Sequence, residues 1–153
     1  MARRKARELA FRTLFMAQRS DTPVLDVWED VRQELHEEGN EDTDEAYGEP
    51  LTEAGIAFAG SLVEAWAEQH ERVDGTILGS LEGWTFNQMN QTDLNVLRLA
   101  VTELLADNDV PPEVTIEMAV RQARKFGGEE SGRFVNGVLG RVFRNGEWGP
   151  GRE

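Results

Sequence analysis

Apolar residues recur along most of the chain at the three- and four-residue spacing of amphipathic helices, and no stretch alternates for long enough to make a sheet. Residues 6 to 17 place Ala6, Leu9, Ala10, Thr13, Leu14 and Ala17 on one stripe, with the cations mostly off it. A second helix is expected after Asp21-Thr22-Pro23, with Val24, Val27, Trp28, Val31 and Leu35 as its apolar face and Gly39-Asn40 as its stop. The acidic stretch Glu41 to Glu45 reads as a mobile loop. A long helix follows from Thr52-Glu53 with Ile56, Ala59, Leu62, Val63 and Trp66 inward, and a shorter one near Asp74 carries Ile77, Leu78 and Leu81. Trp84, Phe86 and Met89 look like core plugs in the connection.

The second half is more regular. Thr92-Asp93 opens a helix with Leu94, Leu97, Val101, Leu104 and Leu105 inward, closed by Asp107-Asn108-Asp109. Pro111-Pro112 breaks the chain, Val114 to Phe126 buries Ile116, Ala119, Val120 and Ala123, and Gly127-Gly128 ends that helix. Ser131 is placed to cap a last helix on which Phe134, Val135, Val138, Leu139 and Val142 recur. The expectation is an all-α fold of about seven helices, with no internal repeat.

Charge changes this picture. The 153 residues carry 16 Lys+Arg against 29 Asp+Glu, a formal net charge of −13, which by itself argues against nucleic acid. The balance is uneven, however. Residues 1 to 19 hold six cations and one acid, residues 20 to 120 are strongly acidic, and residues 121 to 144 return to six cations against two acids. Brought together, the two basic ends would form one cationic patch on an acidic body. The absence of cysteine excludes a disulfide framework and thiol catalysis. Apolar runs are too short to cross a bilayer, and the basic start is followed by an amphipathic segment rather than the apolar block of a signal peptide, so a cytoplasmic protein is expected.

Enzyme signatures are scarce. There is no GxGxxG, GxxxxGK[ST] or GxSxG, and His70-Glu71-Arg72-Val73-Asp74 has Asp where a zinc-binding helix needs its second His. Neither metal nor cofactor is expected. His36, among Glu34, Glu37 and Glu38, reads as a solvated surface residue. Two segments are better leads. Arg3, Arg4, Lys5 and Arg7 crowd a helix start, where the macrodipole disfavours cations. Arg124-Lys125-Phe126-Gly127-Gly128 followed by Ser131-Gly132-Arg133-Phe134-Val135-Asn136-Gly137 mixes cations, aromatic rings and a helix start, a combination that suits single-stranded RNA. The plainer alternatives are a solvated terminus for the first and core rings around a tight turn for the second.

Arg3-Arg4-Lys5-Ala6-Arg7-Glu8-Leu9-Ala10, Asn95 to Ala100 with Glu103-Leu104, and Lys125-Phe126-Gly127 followed by Phe134-Val135-Asn136-Gly137-Val138-Leu139 resemble the NusB family of bacterial transcription antitermination factors in order and spacing. The resemblance implies two packed helical bundles, here about 1–83 and about 84–145 within one domain over 1–145, with 146–153 a tail. It also implies binding to boxA RNA of ribosomal RNA leaders and pairing with NusE, which is also ribosomal protein S ten. Other Nus factors and RNA polymerase join the complex, which suppresses premature termination without catalysis.

By the same resemblance, Arg3, Arg4, Lys5, Arg7, Phe15, Arg124, Lys125, Glu130, Ser131, Phe134 and Asn136 are the expected RNA-binding residues, and Phe15, Asn87 and Asp93 the expected partner-binding ones. Asp93 also suits a helix cap. Departures from the family pattern are Phe15 for a common Tyr, Thr102 for Tyr, and Glu117 for Asn, the last expected to weaken anion binding nearby. A homodimer is open. The acidic segment 37–49 and the tail around Trp148 are not family hallmarks. Two other classes stand against this reading. One is the helical module of ribosomal RNA cytosine methyltransferases, for which the chain offers no cofactor-binding sheet and no reactive Cys. The other is a helical protein-interaction adaptor that does not bind RNA.

Overall fold

The computed structural model describes residues 3–37, 51–83, 85–106 and 109–145. Among them are six α-helices, one short 3-10 helix and no strand: α1 (Arg4–Ser20), α2 (Val24–Glu37), α3 (Glu53–Gly79), the 3-10 turn Phe86–Gln88, α4 (Gln91–Leu105), α5 (Pro112–Gly127) and α6 (Glu129–Asn145). The all-α expectation holds, with six α-helices against about seven expected. Gly39-Asn40, the acidic loop, Trp84, Asp107-Asn108 and the tail lie outside the described residues. No described helix is long and apolar enough to cross a membrane.

The chain divides into two compact units, Met1–Ala67 and Glu68–Glu153. The division falls inside α3. In the first unit α1 packs on α2. Ala6, Ala10, Leu14 and Ala17 are buried as one stripe, facing a core that includes Val27, Trp28, Leu51, Ala59, Leu62 and Val63. The Trp28 indole lies so close to Gly60 that a Cβ there would come within 3.0 Å of the ring, so the approach of α2 to α3 depends on that glycine.

The separate short helix expected near Asp74 is instead the end of α3. Val73 and Ile77 are fully buried and continue the apolar stripe past Asp74-Gly75. Arg98 grips the Asp74 carboxylate with two hydrogen bonds, Nε at 2.9 Å and a terminal nitrogen at 3.0 Å, which offsets the cost of holding a half-buried acid there. Thr52 does open α3, accepting from the Gly55 N–H at 3.0 Å.

In the second unit α4, α5 and α6 pack on one another. α4 is buried on nearly every side, and three of its buried polar residues are paired: Asn95 donates to the Gln91 carbonyl, Thr102 to the Arg98 carbonyl, and Glu103 accepts from Thr115 at 3.0 Å. Two caps differ from expectation. Asn90, not Thr92 or Asp93, caps α4, its Oδ1 accepting from the Asp93 N–H at 2.8 Å. Ser131 does not cap α6. Gly128, at φ 94°, turns the chain at once, its carbonyl accepts from the Gly132 N–H, and Ser131 is left buried in the first turn.

Candidate functional site

The start of α1 carries Arg3, Arg4 and Lys5 in succession with no acid in its first turn. Arg3 caps the helix in the left-handed conformation, φ 54° and ψ 36°, without a side-chain hydrogen bond to the helix. That conformation costs a non-glycine residue about 1–2 kcal/mol. One turn on, Arg7 falls on the same helix face. Both guanidiniums lie over the Phe58 ring of α3, Arg3 at 4.3 Å and Arg7 at 5.3 Å from its centre. Each such contact contributes roughly 0.5–1 kcal/mol at an exposed site.

Only Arg3 of the four expected cations is exposed. Arg4 is half-buried, and Lys5 and Arg7 are each 7% exposed, so this is not the uniformly solvated basic face that a frayed terminus would give. Phe15 is half-buried, tilted at 54° against Phe11 with centres 5.8 Å apart, and Arg19 reaches to 5.9 Å over its ring. Its neighbour Met16 is 50% exposed.

In the second unit the start of α4, the end of α5 and the start of α6 converge on a pocket of about 410 Å³, whose lining includes Met89, Asp93, Gly127, Glu130, Ser131 and Phe134. Its two carboxylates suit the N-terminal ends of α4 and α6, where the helix dipole favours negative charge. Among the described residues the lining holds no Lys or Arg. Asp93 is 6% exposed; its Oδ2 accepts from Asn90 at 3.3 Å, while its Oδ1 is buried and accepts no hydrogen bond among the described residues. Such an oxygen costs stability as it stands, and a donor brought by a partner would recover that cost. A Cβ on Gly127 would collide with the Ser131 side chain, so the α5–α6 turn closes this tightly only because residue 127 is glycine.

The remaining expected residues surround this turn. Arg124 and Lys125 are exposed; the Arg124 Nε is 3.3 Å from Glu129, and the Lys125 ammonium stands 5.2 Å over the Phe126 ring. Asn136 is exposed on α6 and Phe134 half-buried, as Asn87 is exposed on the 3-10 turn. Glu117 forms a salt bridge with Arg121 at 2.7 Å, both side chains being exposed.

The structure thus joins Asp93, Glu130, Ser131 and Phe134 in one pocket, and Arg3 and Arg7 on one ring. These two groups belong to different units. Phe58 was not anticipated from the sequence, although an aromatic residue one position off the apolar stripe of α3 is a usable signal. The role of Gly127 and the Arg98–Asp74 pair needed the folded chain.

A profile of the NusB family matches residues 4–144. The transcription antitermination protein NusB of Thermus thermophilus is 46% identical over 142 residues, covering 93% of this chain and 90% of that one. Among solved structures, T. maritima NusB aligns with a TM-score of 0.77 and 33% identity, covering 98% of this chain and 94% of the other. A chain from a crystal structure of the antitermination factors NusB and NusE in complex with dsRNA aligns at a TM-score of 0.75 and 24% identity, covering 94% and 97%, and shares the fold.

Proposed function

The chain belongs to the NusB family, and we propose that it is a transcription antitermination factor that binds boxA RNA of ribosomal RNA leaders together with NusE, without catalysing a reaction. It acts on nascent RNA in the cytoplasm, alongside other Nus factors and RNA polymerase.

The observation that supports the RNA half of this reading is the start of α1: its first turn has cations and no acid, and the exposed Arg3 stands over the Phe58 ring, a setting that suits phosphate. Arg3, Arg4, Lys5 and Arg7 supply the charge, and Phe15, Arg124, Lys125, Phe134 and Asn136 add stacking faces, cations and an amide. The partner half rests on the pocket. Asp93 and Glu130 with no cation in the lining repel phosphate and suit a basic protein, and the unsatisfied Asp93 oxygen favours a partner that donates a hydrogen bond. Asn87, on the 3-10 turn of the same unit, adds to that contact, and Phe15 of the first unit is a further proposed partner residue. Glu130 and Ser131, expected from the resemblance to meet RNA, line the same pocket.

Fluorescence anisotropy with labelled boxA RNA, with and without NusE, tests the proposal. Sequence-dependent binding that tightens when NusE is added supports it. Tight NusE binding with no RNA binding in either case would favour the helical adaptor instead.

A further inference from the structure

We propose that the outward face of α1, formed by Arg12, Phe15 and Arg19, is a further RNA contact, at which the two guanidiniums take phosphates of a single strand and the ring takes a base. The inference rests on the RNA-binding reading above and adds Arg12 and Arg19 to it.

Arg12, Met16 and Arg19 are spaced i, i+4 and i+7, so they share one face of α1, and all three are exposed. That face is turned away from the buried stripe of Ala6, Ala10, Leu14 and Ala17. The two arginines stand about 10 Å apart along the helix axis. Neither forms a salt bridge among the described residues, whereas Arg32, Arg98, Arg121 and Arg124 each meet a carboxylate. In a chain with 29 acids to 16 cations a surface arginine readily finds an acid, so two left without one on the same face form a distinct cationic strip. α1 itself carries one acid, Glu8, and that is only 8% exposed. The helix dipole favours Arg19 in the last turn, but Arg12, in mid-helix, has no such local reason.

The ring between them completes the site. The buried Phe11 sets the Phe15 ring at a tilt of 54°, Arg19 reaches over it at 5.9 Å, and the ring stays half-exposed. Cations on either side of an accessible ring suit a single strand, whose phosphates follow the charges while a base stacks on the aromatic face. An acidic protein could pair with the same arginines, but Met16 alone is a small apolar anchor for a protein interface, whose centre is apolar.

The experiment titrates boxA RNA by anisotropy over a salt series for the full chain, the Arg12→Gln/Arg19→Gln and Arg12→Lys/Arg19→Lys double variants, Phe15→Leu and Arg3→Ala, with thermal melts alongside. The glutamine pair is expected to lower the salt slope by about 1.4, two single-strand phosphate contacts of about 0.7 each. Its melting temperature should change little, because both side chains are exposed. The lysine pair keeps the charge and should keep the slope. Phe15→Leu should weaken binding roughly tenfold, the loss of one stacked base, with the slope retained.

An unchanged slope in the glutamine pair overturns the proposal. If that unchanged slope comes with weaker NusE binding, the face is a protein-docking surface instead. A slope that falls in Arg3→Ala but not in the glutamine pair removes this contact and leaves the RNA reading standing. If the unsubstituted protein leaves boxA RNA unbound, the RNA reading itself fails, and this contact with it.

Discussion

At the start of α1, cations follow one another without an acid in the first turn, whereas the pocket of the second unit is edged by Asp93 and Glu130 and by no cation. Both places are helix N-termini, where the backbone already presents partial positive charge. The pocket uses that field to hold carboxylates, the expected arrangement. The α1 terminus adds cations to it and keeps a strained Arg3 besides. Under the proposed function these cations answer to a polyanion outside the helix. Under that proposal a chain of net charge −13 can still bind RNA, because net charge is a sum over unlike surfaces.

The largest expected effect tests whether the second unit stands on its own. Arg98→Ala leaves the partly buried Asp74 carboxylate unpaired and frees the Phe86 ring, which the guanidinium covers at 5.5 Å. A loss of about 3 kcal/mol in urea unfolding is expected, since removing one partner of a buried pair is far costlier than losing an exposed one. NusE binding should suffer with it, because α4 and the 3-10 turn carry Asp93 and Asn87.

Asp93→Ala sharpens the comparison more cleanly. NusE affinity measured by calorimetry should fall by about 1–3 kcal/mol if the pocket receives a donor from the partner. Protein stability should change little, because the substitution also removes a buried oxygen that lacks a hydrogen bond. A large drop in the melting temperature would mean that Asp93 serves the fold instead.

Arg3→Gly and Arg3→Ala form a smaller contrast. Both remove the charge, but glycine accepts φ 54° without strain, so the glycine variant should be more stable by about 1 kcal/mol in thermal or denaturant unfolding. Equal stabilities would show that the left-handed conformation is not maintained. Smallest of all, Glu117→Gln breaks only the exposed pair with Arg121 and should alter stability by less than about 1 kcal/mol, with RNA affinity near that of the unsubstituted protein.

Helix class and position were legible from the apolar period, because every helix presents a regular stripe to a core. Caps were less so. Thr92, Asp93 and Ser131 all have capping chemistry, and the choice of Asn90 and Gly128 was made by where the chain turns, which is a tertiary matter. The continuous α3 was hidden for the same reason: Asp74-Gly75 looks like a stop until Arg98, 24 residues away, supplies the counter-charge. For the site, residue types and order marked the two basic segments and the acidic surface. What sequence spacing could not show is that Lys5 and Arg7 are buried, that Phe58 lies beneath two arginines, and that Asp93 shares a pocket with Phe134. Each depends on a neighbour distant in the chain.

The central claim, that one surface reads phosphate and another reads a basic protein, is tested most directly by boxA RNA titrations over a salt series for Arg3→Ala and Asp93→Ala, each with and without NusE. The prediction is that Arg3→Ala lowers the salt slope by about 0.7, one single-strand phosphate contact, and still gains affinity from NusE. Asp93→Ala should keep the slope and lose the gain. If Arg3→Ala abolishes the response to NusE, or Asp93→Ala changes the salt slope, the two surfaces are not separate and the account is contradicted.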